Sequence, residues 1–283
     1  MGYKSDSKKV KDINGLQQIL IDLKPDRCDS DVYINQKFNV SKIVNYIENK
    51  KEEGFDITYF YVFLTVIGKL FYNRNKLNYF VANRHLYEHN DIRISFVAKV
   101  DFSDDSKEVM IMLPILPGDN IFTISKRVKE KIEGVRNSKE RIDGLNQFVD
   151  CLGKVPNIVR VPLVGIFKWL DKKGILPNSL IKDNIYYSSI IISNLGSIKC
   201  GAIYHNLTNF GTCSSLATVG EIKKEKGIDG KVIDVCEFGV NFDERVADGY
   251  YFVKSLKLAQ YIFDNPSLLE EKVSNKIEIK NEK

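Results

Sequence analysis

Tryptophan, histidine, methionine and proline are all scarce: the 283 residues hold one Trp, three His, three Met and seven Pro. So few histidines, none beside a cysteine pair, leave no Cys/His cluster with zinc spacing, and no metal is expected. The five cysteines (Cys28, Cys151, Cys200, Cys213 and Cys236) are odd in number and widely spaced, with no C-x-x-C pair. Free thiols of a reducing compartment are the simplest reading. His85 and His89 are four apart, the spacing of a helical metal pair. They fall in an apparent loop between two strand-like runs and read as surface residues. The first residues lack the apolar core of a signal peptide, and no apolar run reaches the length of a bilayer span. A cytoplasmic protein with no transmembrane segment is expected. No segment concentrates basic residues among aromatics as a nucleic-acid surface does. The net charge of +5 is spread over mixed Lys and Glu.

What the chain does have is 43% hydrophobic residues and 11% aromatics, enough for a sizeable core at this length. Residues 1–30 form a polar N-terminal extension with a short helical pattern over 16–23. The lysine-rich ends, 4–11 and 272–283, read as solvated tails. Alternation predicts strands over 31–39, 92–100, 186–193, 216–222 and 231–242, and a continuous apolar run predicts a buried strand over 109–116. A hairpin-type turn is expected at 227–230. Helices are expected from Val40 to Gly54, over 58–71 (apolar nearly all round, hence central), over 120–136 with Ile124, Val128 and Ile132 inward, and over 250–263. The pattern is α/β (α+β), a mixed sheet flanked by helices.

Two stretches carry chemistry. Asp243-Glu244-Arg245-Val246-Ala247-Asp248-Gly249 is a charged turn between the last strand and the last helix, and such turns often hold functional residues. Ile191-Ile192-Ser193-Asn194-Leu195-Gly196-Ser197 is its partner. Together they resemble the catalytic domain of dihydrolipoamide acyltransferases, the E2 components of 2-oxo acid dehydrogenase complexes, which are related in fold to chloramphenicol acetyltransferase. That family's signature is H-x-x-x-D-G, usually seen as D-H-R-x-x-D-G. Asp243, Arg245, Asp248 and Gly249 fit it, and Glu244 stands where the catalytic histidine belongs. Gly54-Phe55-Asp56-Ile57-Thr58 is similar to a further family element, and Leu77-Asn78-Tyr79-Phe80 to another that here lacks its proline. The resemblance runs from about Val32 to Glu271.

The resemblance implies a chloramphenicol acetyltransferase-like domain over residues 31–271 and a polar tail over 272–283. It also implies acyl transfer from a coenzyme A thioester, with no tightly bound cofactor, to a small-molecule acceptor. The family works as a homotrimer whose base and serine come from neighbouring subunits. Carried over, Ser193 is the oxyanion donor and Glu244 holds the base position. Asp248 is the structural aspartate held by an arginine, for which Arg27 is the candidate. Arg245, Gly249, Asn194 and Gly196 shape the site.

General base catalysis works best near neutrality, and an exposed glutamate titrates at about 4.3, so a carboxylate in that role needs burial. Its negative charge also opposes a developing oxyanion. Two outcomes follow: a transferase with a non-standard base, or an inactive homologue (a pseudoenzyme) serving as a trimeric binding or assembly module. His205 is a candidate substitute base, and Cys200 and Cys213 are candidate thiols.

Residues 137–185 depart from the family, which has a short polar linker there. This insertion contains the apolar run from Ile158 to Leu170. It reads as an extra helix covering the core or an oligomer interface, as a lid over an acyl or acceptor pocket, or as a helix lying on a membrane surface. Lipoyl domains and Ala/Pro-rich linkers have no counterpart in these residues, and a stand-alone protein is expected.

Overall fold

The computed structural model describes residues 3–99, 108–137, 151–227 and 230–279. In chain order the first half comprises β1 (Ser7–Lys9), α1 (Gly15–Leu23), β2 (Asp31–Asn39), α2 (Ser41–Glu52) and α3 (Tyr59–Asn73). There follow β3 (Tyr79–Ala82), β4 (His85–His89), β5 (Ile92–Lys99), β6 (Glu108–Ile115) and α4 (Ile121–Asn137). The second half has α5 (Asn157–Lys173), β7 (Ile190–Asn194), β8 (Ser215–Lys226), β9 (Val232–Asp243) and α6 (Gly249–Asp264).

Six strands form one mixed sheet in the order β2-β9-β8-β7-β5-β6. β7 runs parallel to both β5 and β8, and the remaining neighbours are antiparallel. Side chains alternate across a strand, and that alternation divides the sheet. Cys236, Phe238 and Phe242 of β9, with Ile190 and Ile192 of β7, face the main core. Ile191 faces the other way, packing with Ile185, Cys213 and Met110.

The core lies between the first face and the helices. α3 is buried from Val62 to Phe71. α6 buries Phe252, Ser255, Ala259, Ile262 and Phe263, the spacing of a helix stripe. The buried Lys69 ammonium donates to the carbonyls of Glu271 and Lys272, both at 3.1 Å, and Val273 is buried. Ile277 and Ile279 pack on the core as well, so residues 272–279 are not the solvated tail that the lysines suggest.

A separate three-stranded sheet, β1-β4-β3, holds the other difference from the sequence reading. The N-terminal lysine-rich stretch is not a free tail: Ser7 to Lys9 pairs with β4, and Tyr3 is buried against Phe80 and Tyr87. His85 and His89 lie on β4 rather than in a loop. His89 is buried, its ring 4.5 Å from that of Phe80. On a strand, residues four apart are about 13 Å apart, too far to share an ion.

The second face is crossed by an extended strap, residues 199–212. Thr218 Oγ1 pairs with the backbone N–H and carbonyl of Ile203, and Asn241 Nδ2 donates to the His205 carbonyl at 2.8 Å. The strap ends at Gly211, whose φ is +79° and whose missing Cβ leaves room for the Tyr186 carbonyl. Gly211 N–H also donates to Asp171 Oδ2 at 2.9 Å, fastening α5.

Two predictions concern this frame. Gly211→Ala combines a left-handed backbone with a steric overlap, and about 2–3 kcal/mol of stability should be lost in urea unfolding. Burial, with Arg93 adding to it, holds the His89 ring down at about 3. The unfolded chain takes up this proton near pH 6.5, and the folded state refuses it until about pH 3. Stability present above pH 6.5 is then lost on acidification at about 1.4 kcal/mol per pH unit from this residue. Urea titrations between pH 7 and pH 5 should show that slope, reduced in His89→Phe.

Candidate active site

The charged turn starts where β9 runs out. Asp243 N–H donates to the Ser214 carbonyl and Glu244 N–H to the Ser30 carbonyl, both at 3.0 Å. Asp243 is fully buried and accepts a bidentate pair from Arg245, Nε at 2.8 Å and Nη2 at 2.6 Å, plus the Arg245 N–H at 3.0 Å. Such fork-to-fork pairs fix orientation as well as charge. Arg245 Nη1 donates to the Lys24 carbonyl at 2.8 Å. Gln17 Nε2, from α1, donates to the Arg245 carbonyl at 2.8 Å.

Arg27 does not meet Asp248. It is buried with Nε 3.8 Å from Asp243 Oδ2, and its other nitrogens donate to the Thr208 and Gly211 carbonyls at 2.7 and 2.9 Å. The reason is positional: Asp243 ends a buried strand, whereas Asp248 is the N-cap of α6. Asp248 Oδ1 accepts from Tyr251 N–H at 2.8 Å, and Asp248 has no ion pair among the described residues. Gly249 opens the helix with open space where a Cβ would sit.

Glu244 projects from this rigid turn and forms an ion pair with Lys24 Nζ; both side chains are about one-third exposed, so the burial that a carboxylate base calls for is only partial. Glu244 lines a cleft of about 520 Å³ with Leu16 and Leu20 of α1, Val32 and Ile34 of β2, Lys76, and Phe252 and Val253 of α6. Lys24 is the residue the sequence reading missed. It lies 220 positions from Glu244, in a turn with no signature of its own.

Ser193 stands elsewhere. It is half-buried on β7, on the Ile191 side of the sheet, opposite to the Phe242 side that lines the Glu244 cleft. It shares a register row with Thr218 and Gly239. Glu244 lies five residues past Gly239 and two strands over, about 17 Å along the sheet at about 3.4 Å per residue. Within one chain the two do not meet.

Asn194 and Gly196 form the turn after β7, where Ser197 Oγ donates to the Asn194 carbonyl at 2.8 Å. A Cβ on Gly196 would lie 2.7 Å from the Gly220 carbonyl oxygen, so only glycine lets this turn pack on β8. His205 is exposed on the strap, and Cys200 is exposed. Cys213 is buried, and burial pushes its thiol up, so it is not a ready nucleophile.

The insertion's α5 packs Phe167 and Leu170 on Leu176, Ile181 and Tyr187. With the strap it bounds a groove of about 710 Å³ lined by Met110, Val164, Phe167, Tyr186, Leu207 and Phe210. Met110 packs on Ile191, so this groove opens on the Ser193 face. Among the described residues no group of three or more His, Cys, Asp or Glu is placed to hold a metal ion.

A mixed six-stranded sheet backed by helices, with an I-S-N-L-G strand end and a D-x-R-x-x-D-G strand-to-helix turn, is the chloramphenicol acetyltransferase-like acyltransferase fold. Solved structures agree. The chain is similar to a probable dihydrolipoamide acetyltransferase from Listeria monocytogenes 4b F2365 (17% identity, TM-score 0.59, covering 91% of this chain and 94% of that one). It is similar to the cubic core of the pyruvate dehydrogenase multienzyme complex (12%, TM-score 0.58, 92% and 94%). It is also similar to a chloramphenicol acetyltransferase (10%, TM-score 0.57, 91% and 99%). No protein-family model and no curated protein matches the sequence.

Removing the Asp243 charge leaves Arg245 and Arg27 buried without their shared anion. Asp243→Ala should cost about 3–5 kcal/mol in urea unfolding, against about 1 kcal/mol for the exposed cap in Asp248→Ala.

Proposed function

We propose that this chain transfers an acyl group from a coenzyme A thioester to a small acceptor, at sites formed between copies of a homotrimer. The observation that carries this reading is Glu244, paired with Lys24 and lining an open cleft, on a turn fixed by buried charges. In the reaction, Glu244 takes the proton from the acceptor's hydroxyl, amine or thiol as that atom bonds to the thioester carbonyl. Ser193 Oγ–H of a neighbouring copy donates to the oxyanion. Collapse breaks the C–S bond, and the proton passes from Glu244 to the departing thiolate. Lys24 offsets the carboxylate's charge, which otherwise opposes both the oxyanion and the anionic thioester. Asp248 and Gly249 set the start of α6, and Asn194 and Gly196 set the Ser193 strand end.

Two features support a site between copies. Ser193 and Glu244 sit on opposite faces, about 17 Å apart along the sheet, so one chain cannot bring them together. Beside the cleft, Leu16 is 82% exposed and Tyr250 70% exposed, apolar surface of the kind that marks an interface. The apolar groove on the Ser193 face suits the acceptor or the acyl chain. A second reading rests on the same ion pair: if Lys24 keeps Glu244 engaged, the protein binds thioesters without turning them over and serves as an assembly module.

Thiol release from acetyl-CoA and longer acyl-CoAs separates the two readings, once a solution mass of three times 32.4 kDa is established. Wild-type release that falls about 100-fold or more in Glu244→Gln, with a comparable loss in Ser193→Ala, makes Glu244 a working base. Silence from wild type with release by Glu244→His makes the protein a binding module on an intact scaffold. A monomer in solution removes the intersubunit site.

A further inference from the structure

α5 presents two unlike faces. Inward, Phe167 and Leu170 pack toward the body, and the helix's single acid, Asp171, is buried with Tyr187 Oη donating to its Oδ1 at 2.5 Å. Outward, Ile158, Val161, Pro162, Ile166 and Trp169 follow the i, i+3, i+4, i+8, i+11 spacing of one helix stripe. They are largely exposed: Ile158 is 85% exposed, Val161 64%, Ile166 54% and Trp169 56%, although Trp169 also borders a cleft shared with Pro25, Asp26 and Arg27. Lys154, Lys168, Lys172 and Lys173 stand around this stripe, exposed and without an ion pair among the described residues. The outward face of the helix therefore carries apolar groups and positive charge with no negative charge.

We propose that this face seats α5 in the headgroup layer of an anionic membrane. An apolar stripe with a tryptophan, bordered by lysines, is what lies in such an interface. Seventeen residues make a helix of about 25 Å, shorter than a bilayer core of about 30 Å. No helix among the described residues is long and apolar enough to cross a membrane. A second copy fits the face less well. A two-fold contact would set the stripe against itself and bring the lysines of both copies together. Anionic lipid headgroups complement them instead. None of these residues lines the Glu244 cleft, though Lys168, Trp169 and Lys172 border a neighbouring cleft with Arg27 and Arg245; the inference stands apart from the acyl-transfer reading.

Trp169 is the chain's one tryptophan, so its emission reports α5. The full-length protein is titrated with vesicles of phosphatidylcholine containing phosphatidylglycerol, and with vesicles of phosphatidylcholine alone. A blue shift and co-sedimentation with the anionic vesicles are expected. Lys168→Ala with Lys172→Ala should weaken partitioning by roughly tenfold or more. Ile158→Asp with Ile166→Asp should abolish it while leaving thermal unfolding unchanged, because both side chains face solvent. An unchanged emission, or equal response to neutral vesicles, overturns the proposal. A blue shift that grows with protein concentration without vesicles assigns the face to a second copy and also overturns it.

Discussion

Asp243 is a carboxylate at the end of a buried strand, and such a charge persists only with partners of opposite sign close by. It has two: Arg245, bidentate from the same turn, and Arg27, from the segment before β2. Burial pulls the Arg27 guanidinium below its ordinary value, and Asp243 opposes that pull. Arg245 Nη1 donates to the Lys24 carbonyl, and the terminal nitrogens of Arg27 donate to the Thr208 and Gly211 carbonyls. Gly211 in turn donates to Asp171 of α5. One carboxylate thus ties the functional turn to the N-terminal segment, to the strap and, through the strap, to the insertion.

The Lys24–Glu244 pair depends on that network. Lys24 is placed by its own carbonyl, which Arg245 holds, and Glu244 by its N–H, which Ser30 holds. Both side chains therefore start from fixed backbone and meet at the cleft. An exposed pair contributes little to stability by itself, so its significance lies in what it does to the cleft. It pairs a carboxylate with an ammonium, which together carry no net charge, beside the cleft that Glu244 lines. A histidine in the same place would need no such partner, being neutral when it acts as a base.

Much of this was legible in the sequence, and what was not has physical causes. The long strands β2, β8 and β9 and the helices α3, α4 and α6 announce themselves by periodicity, because each buries one face or all of itself. β1, β3 and β4 have three to five residues, too short for alternation to show, so the small sheet was read as tail and loop and His89 as a surface residue. The motif turn was visible, but the partners within it were not. Which aspartate takes the buried arginines depends on which one ends a buried strand and which caps a helix. Lys24 was invisible for a different reason: a contact across 220 positions leaves no local pattern. The apolar run of the insertion was plain, yet periodicity gives only the stripe. Its orientation away from the body follows from Asp171 being drawn inward by Tyr187 and Gly211.

Assembly and the α5 face bear on each other. A cyclic trimer relates its subunits by rotation about one axis, so every α5 has the same inclination to that axis. A surface perpendicular to the axis that one helix reaches is then reached by all three. A single stripe of four large apolar residues and its lysines binds a bilayer weakly, as one short amphipathic helix does. Three held rigidly in common orientation bind with the second and third steps made intramolecular, which multiplies their effect without any added contact. The anchoring of Asp171 matters for this reason: a helix free to reorient loses the common geometry. Under the proposed trimer, the copies that complete the site also provide a means of lying on a surface that separate chains would touch only briefly.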